Sequence, residues 1–138
     1  MPKVTNFPNG LGVGGAPVDA SRGYALCYMP ISFDPTSATQ VLVGTLPAGA
    51  TPIDVIGRGG ATGGTNPTVD IGTGADDDGY ANELDADAAG TSATSGAKLG
   101  ALIGTRITTP TAVYGKVGAS AASGGTFVGG IVYIMTDA

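Results

Sequence analysis

Residues 126–136, with the sequence TFVGGIVYIMT, are the longest apolar run of the chain and decide its fold. Valine and isoleucine are β-branched, and Gly129 and Gly130 interrupt the run, so this composition favours a strand over a helix. A glycine pair inside a strand indicates a bulge or a close approach of another backbone. We therefore predict a central strand with both faces covered.

Shorter strand patterns recur through the chain, with turn residues between them. Residues 52–58 alternate, with Ile53 and Val55 on one face and Asp54 and Arg58 on the other. The remaining predicted strands lie at residues 24–31, 39–46, 68–72 and 107–117, the last interrupted at Pro110. Seven or eight short strands joined by Gly- and Pro-rich turns are typical of a sandwich or a jelly roll. We predict an all-β, jelly-roll-like antiparallel β-sandwich, with a Greek-key barrel as the nearest alternative.

The segments outside these strands are predicted as loops, as an arm or as marginal helix. The stretch GRGGATGGTNP, residues 57–67, is predicted as a loop. Residues 78–89 could form a helical turn or two, although their Asp and Asn content disfavours it, and residues 97–103 are equally ambiguous. Residues 1–22 are rich in Gly, Pro and Asn and have no apolar period, which predicts an extended N-terminal arm. Residues 23–138 are then a single β-sandwich domain.

The chain carries little charge for its length. Its 138 residues are 42% hydrophobic and 12% charged, whereas soluble domains carry roughly 25% charged residues. Disordered chains show the opposite balance, so a folded domain with many turns is predicted. Two explanations of the low charge stay open: other subunits cover part of the surface, or Ser and Thr solvate it.

The negative charge is concentrated in one acidic segment, residues 76–87. The net charge is −5, and the rest of the chain is close to neutral. No cluster of Lys or Arg occurs, which argues against electrostatic binding of nucleic acid or of anionic membranes. The segment contains six of the eleven acidic residues: Asp76, Asp77, Asp78, Glu83, Asp85 and Asp87.

The acidic segment allows two interpretations. Asp76, Asp78 and Glu83 offer hard oxygen ligands of the kind that Ca²⁺ takes. The spacing departs from the EF-hand loop, because Asp76 at position 1 places Ala81 rather than Gly at position 6 and Asp87 rather than Glu at position 12. The interpretation we favour is a solvated acidic loop, with no metal and no other cofactor.

The residues that usually carry catalysis are scarce. The chain has no His, so a Ser-His-Asp triad and a Cys-His pair for Cys27 are excluded. The glycine-rich stretch is followed by a predicted strand at Pro67 and not by a helix, so it does not match a phosphate loop. Two carboxylates could serve a glycosidase, but Trp is absent and Tyr80 is the one aromatic residue of the acidic segment. We predict no enzymatic activity and no catalytic residue.

Four stretches of the chain resemble structural proteins of tailed-bacteriophage heads. They are MPKVTNFPNGLG at residues 1–12, VLVGTLPAGATPIDVIGRG at 41–59, TVDIGTGADDDGYANELDADAAGT at 68–91, and GGTFVGGIVYIMT at 124–136. The resemblance is to decoration (cement) proteins or head-fibre-like proteins, and apart from residues 1–12 it covers roughly residue 38 to the C-terminus. It rests on the order of strands and turns, and it carries no catalytic residues.

The resemblance implies a jelly-roll-like sandwich that binds the outside of an assembled capsid. The implied partner is the lattice of the major capsid protein, and a homo-oligomer is implied, a trimer before a dimer. The expected location is the capsid surface of the virion, after assembly in the host cytoplasm. The alternative is a head-fibre or tail module that binds a receptor or a carbohydrate.

Two further expectations concern how the chain meets its partner. The acidic segment is expected to face solvent, while the arm and the neutral faces turn toward the shell. Within the arm, the expected capsid contacts are Val4, Phe7, Leu11 and Val13. The chain has no run of about 18 apolar residues, so no transmembrane helix and no membrane partner are expected.

Overall fold

The computed structural model describes residues 24–92 and 98–136, and within them it contains strands, turns and no α-helix. This confirms the predicted all-β class and the expected number of strands. The eight strands are β1 (Tyr24–Phe33), β2 (Val41–Leu46), β3 (Ala50–Thr62), β4 (Thr68–Gly72), β5 (Ala81–Asp85), β6 (Thr91–Ser92), β7 (Thr111–Val117) and β8 (Gly124–Thr136).

The strands form two four-stranded antiparallel sheets. Sheet 1 has the order β1-β8-β3-β6 and sheet 2 the order β2-β7-β4-β5. The pairing is nested, because β1 pairs with β8, β2 with β7, β3 with β6 and β4 with β5. The predicted antiparallel β-sandwich is therefore confirmed.

The core lies between the two sheets and comes from alternate residues of the strands. Phe33 of β1 and Phe127 of β8 meet there, with ring centroids 5.8 Å apart and ring planes at 60°. Such a tilted pair is a favourable aromatic geometry. The other large, fully buried core side chains include Ile31, Leu46, Val55, Val69, Ile71, Leu84, Val113 and Ile131.

Strand β8 occupies the central position predicted for residues 126–136, between β1 and β3. Its inner face is covered, since Phe127 and Ile131 are fully buried. Its outer face is not fully covered, because Val128 is 38% exposed. The prediction that both faces are covered is thus wrong for one face, because a sandwich sheet packs only one face on its partner.

The glycine-rich stretch is a strand over most of its length, which corrects the prediction of a loop. Strand β3 runs to Thr62 and stays paired with β8, with register shifts between Gly57 and Gly59 and between Gly59 and Ala61. Gly60 has φ +116°, and a Cβ there would overlap the backbone carbonyl of Thr126. Glycine allows this irregular strand to bulge without losing its partner.

Residues 78–89 contain strand β5 and no helix, which corrects a second expectation. Val69 and Leu84 are register partners between β4 and β5, and both are fully buried. Ala81 and Leu84 are three residues apart and both buried, because the pairing of β4 with β5 shifts register between Val69 and Ile71. Residues 101–104 form turns, with the amide of Leu102 donating to the carbonyl of Gly79 at 2.8 Å, so the described part of 97–103 contains no α-helix.

Candidate functional site

The most exposed apolar surface of the described residues is the outer face of sheet 1. Leu26 is 72% exposed and Tyr28 is 45% exposed on β1, and the register places Ile134 and Val132 of β8 beside them. We call this surface the outer face. It consists of Leu26, Tyr28, Ile53, Ile56, Val128, Val132 and Ile134.

The outer face is also almost uncharged. Strands β1 and β8 contain no charged residue, and β3 contributes Asp54 and Arg58. Contiguous exposed apolar patches are uncommon on soluble proteins, and where they occur they often mark a surface that binds a partner. A second, smaller apolar site lies on the edge strand β2, where Val41 is 41% and Leu42 is 60% exposed.

The acidic segment is organised by contacts with β4 and β7. Asp77 and Lys116 form an ion pair with 2.5 Å between Oδ2 and Nζ. This hydrogen bond to Asp77 raises the pKa of Lys116. A hydrogen bond with Asp78 raises the pKa of Asp76, and burial and the charges of its neighbours act in the same direction.

Asp70 is the buried carboxylate of this region. Its side chain, on β4, is 9% exposed and accepts a hydrogen bond from the amide of Glu83 at 2.8 Å. Burial raises the pKa of Asp70 above its ordinary value, although the hydrogen bond from Glu83 acts against this. Asp70 therefore helps to hold β5, at a position where its negative charge is disfavoured.

The three residues considered as Ca²⁺ ligands are not brought together as one site. Asp76 and Asp78 interact with each other, whereas Glu83 has φ +54° and its amide is bound to Asp70. Across residues 24–92 and 98–136, no group of three or more His, Cys, Asp or Glu side chains is arranged to hold a metal ion. Parts of the segment are exposed, including Glu83 and Asp87, while Tyr80 is buried.

The predicted capsid contacts Val4, Phe7, Leu11 and Val13 lie outside the described residues, as does the whole predicted arm.

The outer face was not predicted as a site. Its sequence signal is that residues 24–31 and 126–136 are apolar on both faces. Cys27 is half-buried, and Tyr133 lies close enough for a hydrogen bond to its sulfur.

Comparison with known proteins gives a match in fold. No protein-family model and no curated protein matches the chain. A chain of the solved structure "Cyanophage Pam1 capsid asymmetric unit" is 23% identical, with a TM-score of 0.58, over 98% of this chain and 99% of that chain. The two chains are therefore nearly equal in length and share a fold.

No helix in the described parts of the chain is long and apolar enough to cross a membrane.

Proposed function

We propose that this chain is a structural protein of a phage virion, which binds and stabilises the outside of the assembled capsid. The observation that carries the proposal is the likeness in fold to a chain of a cyanophage capsid, over nearly the full length of both chains.

The outer face of sheet 1 supports this role and is its proposed docking surface. A protein that binds only the assembled lattice stabilises that state by mass action. Such binding requires contact area and few charges to desolvate, and the outer face has both, since Leu26, Tyr28 and Val128 are exposed and β1 and β8 carry no charge. Reactive side chains are not needed, and we propose no enzymatic activity.

The finer features of the proposal concern topology, assembly and the arm. The nested strand pairing supports the jelly-roll form of the sandwich. The low charge of the chain, 12%, supports a homo-oligomer, a trimer before a dimer, because contacts between subunits would cover part of its surface. We also propose that the arm lies on the lattice of the major capsid protein through Val4, Phe7, Leu11 and Val13.

The proposal is tested by mixing the purified chain with empty phage heads and imaging them by cryo-microscopy. We expect symmetric density on the outer surface of the capsid. Density on the tail alone would favour the alternative of a fibre or receptor-binding module and would overturn the capsid role. Absence of bound density would also overturn the capsid role.

The docking surface is tested by a pair of matched variants. Leu26→Gln changes an outer-face residue, and Leu42→Gln makes the same change on β2, at a residue that is also mostly exposed. We expect Leu26→Gln to weaken binding to heads roughly tenfold, because an exposed leucine buried on binding contributes about 1–2 kcal/mol. We expect Leu42→Gln to leave binding to heads unchanged. The reverse result would place the docking surface on sheet 2.

A further inference from the structure

A cleft of about 410 Å³ lies away from the outer face, between the β4–β5 connection and the segment that leads into β7. Its volume is within the range of about 300–1,000 Å³ that is usual for small-molecule sites. Its floor contains Tyr80, which is 2% exposed, Ile107, which is 8% exposed, and the half-buried Leu102. The floor is therefore apolar, with one phenol.

The rim of the cleft is rich in hydroxyl groups. Thr105, Thr108 and Thr109 are exposed there, and Thr73 and Thr111 are half-buried. The hydroxyl of Thr111 already donates to the carbonyl of Thr109 at 2.9 Å. One acidic and one basic residue, Asp76 and Arg106, complete the polar lining, so the charges balance.

The hydroxyl group of Tyr80 is the feature that points to a ligand. Within residues 24–92 and 98–136 it has no hydrogen-bond partner, although the side chain is almost fully buried. Asp76 lines the same cleft, and burial together with the negative charge of Asp76 raises the pKa of Tyr80. Buried hydroxyls are usually paired, and a group in the cleft would provide the partner.

Backbone hydrogen bonds hold the walls of the cleft in place. The amide of Gly79 donates to the carbonyl of Asp76 at 3.2 Å, which orders the turn before Tyr80. The opposite wall is tied to β3, because the amide of Ile107 donates to the carbonyl of Ala50 at 2.7 Å. A preformed site costs less ordering entropy when a ligand binds.

We propose that this cleft binds a neutral saccharide of about two sugar units, independently of any binding to the capsid. An apolar floor suits the C–H face of a sugar ring, and the rim hydroxyls and Asp76 can exchange hydrogen bonds with its hydroxyl groups. Balanced charge disfavours a phosphate or a cation. An extended peptide is disfavoured because it usually adds to a strand edge, and this cleft is lined mainly by loop residues.

The test is a titration of the isotope-labelled full chain with maltose, lactose and N,N′-diacetylchitobiose at up to tens of millimolar, followed by amide NMR. At least one disaccharide is expected to shift the amides of Tyr80 and of residues 102–111, and not those of β1. Tyr80→Phe removes only the hydroxyl and is expected to weaken that binding about threefold to tenfold. Tyr28→Phe, the same change on the outer face, is expected to leave it unchanged.

Failure of all three disaccharides to shift these amides would overturn the proposal, as would undiminished binding by a folded Tyr80→Phe variant. If Tyr80→Phe does not fold, Thr105→Val replaces it, because Thr105 is an exposed rim residue whose side chain can lose its hydroxyl without disturbing the core. Unchanged binding by Thr105→Val would then overturn the proposal.

Discussion

The ring of Tyr28 lies over Gly130 on the outer face of sheet 1. A Cβ atom at Gly130 would overlap the Cζ and Oη atoms of Tyr28, so only glycine leaves room for the ring in this position. Tyr28 is paired in register with Val132, two residues further along β8, and its ring therefore crosses the strand diagonally. The apolar surface that we propose for docking thus depends on a glycine in the central strand.

Gly130 and Gly115 allow a matched test of glycines beneath an aromatic ring. A Cβ at Gly115 would overlap the ring of Phe33, which is 6% exposed and confined by the core. We expect Gly115→Ala to lower the free energy of unfolding by about 1–3 kcal/mol, because the ring has no free space to enter. We expect Gly130→Ala to cost less than about 1 kcal/mol, because the half-exposed Tyr28 can swing into solvent. Chemical denaturation measures both.

Neither glycine has a positive φ, so the two alanine variants differ in sterics and not in backbone strain. Equal losses in the two variants would contradict this explanation. Gly130→Ala is also expected to weaken binding to heads, since it displaces Tyr28 from the outer face.

Asp70 is expected to make stability depend on pH. Burial raises its pKa in the folded chain above the ordinary value of 3.8, so in the pH range just above that value the folded state binds more protons than the unfolded state. The free energy of unfolding is therefore higher at low pH, where Asp70 is protonated. It falls as the pH rises through the pKa that Asp70 has in the folded chain. Asp70→Asn keeps an oxygen that can accept the amide hydrogen bond of Glu83.

We therefore expect Asp70→Asn to gain stability relative to the parent chain as the pH is raised from about 4 to about 7. Thermal unfolding across this range measures the difference. Asp77, Asp78 and Lys116 also act on Asp70, and they are unchanged in the variant. A difference that shrinks with rising pH would contradict the predicted direction.

Lys116 is expected to offset the negative charge of its surroundings. It pairs with Asp77, and the charges of Asp70 and Asp78 also raise its pKa. We expect Lys116→Gln to lower the free energy of unfolding by at most about 1 kcal/mol at low salt, because the pair is partly exposed. In about 1 M salt the loss should become smaller. A loss of the same size at both salt concentrations would contradict an electrostatic cause.

The N-terminal arm is expected to add to capsid binding. A chain that lacks residues 1–22 should keep the sandwich, because that segment precedes β1. We expect it to bind empty heads more weakly than the full chain, since it lacks Val4, Phe7, Leu11 and Val13. Co-sedimentation with heads measures the difference, and far-ultraviolet circular dichroism checks the fold. Equal binding by the two chains would exclude the arm as a docking element.

The strands that the sequence predicts best are those with an uninterrupted local pattern. Residues 68–72 match β4 at both ends, and residues 126–136 lie within β8. The predictions fail at β3 beyond Arg58 and at β5, where glycines and acidic residues mask the pattern. Strand β3 is held by pairing with β8, far along the chain, and β5 by pairing with β4 across a register shift. Local composition does not predict these contacts.

The sequence by itself determined the all-β class, the low charge and the absence of His, because these follow from composition and short-range periodicity. The tertiary structure alone decided which apolar residues face solvent, since Leu26 and Ile31 belong to the same apolar run but end on opposite faces of β1. It also brought Tyr80 to the cleft beside Ile107, with which it shares no local pattern. An apolar strand residue suits a core and an interface equally, and only the packing of one sheet on the other separates the two.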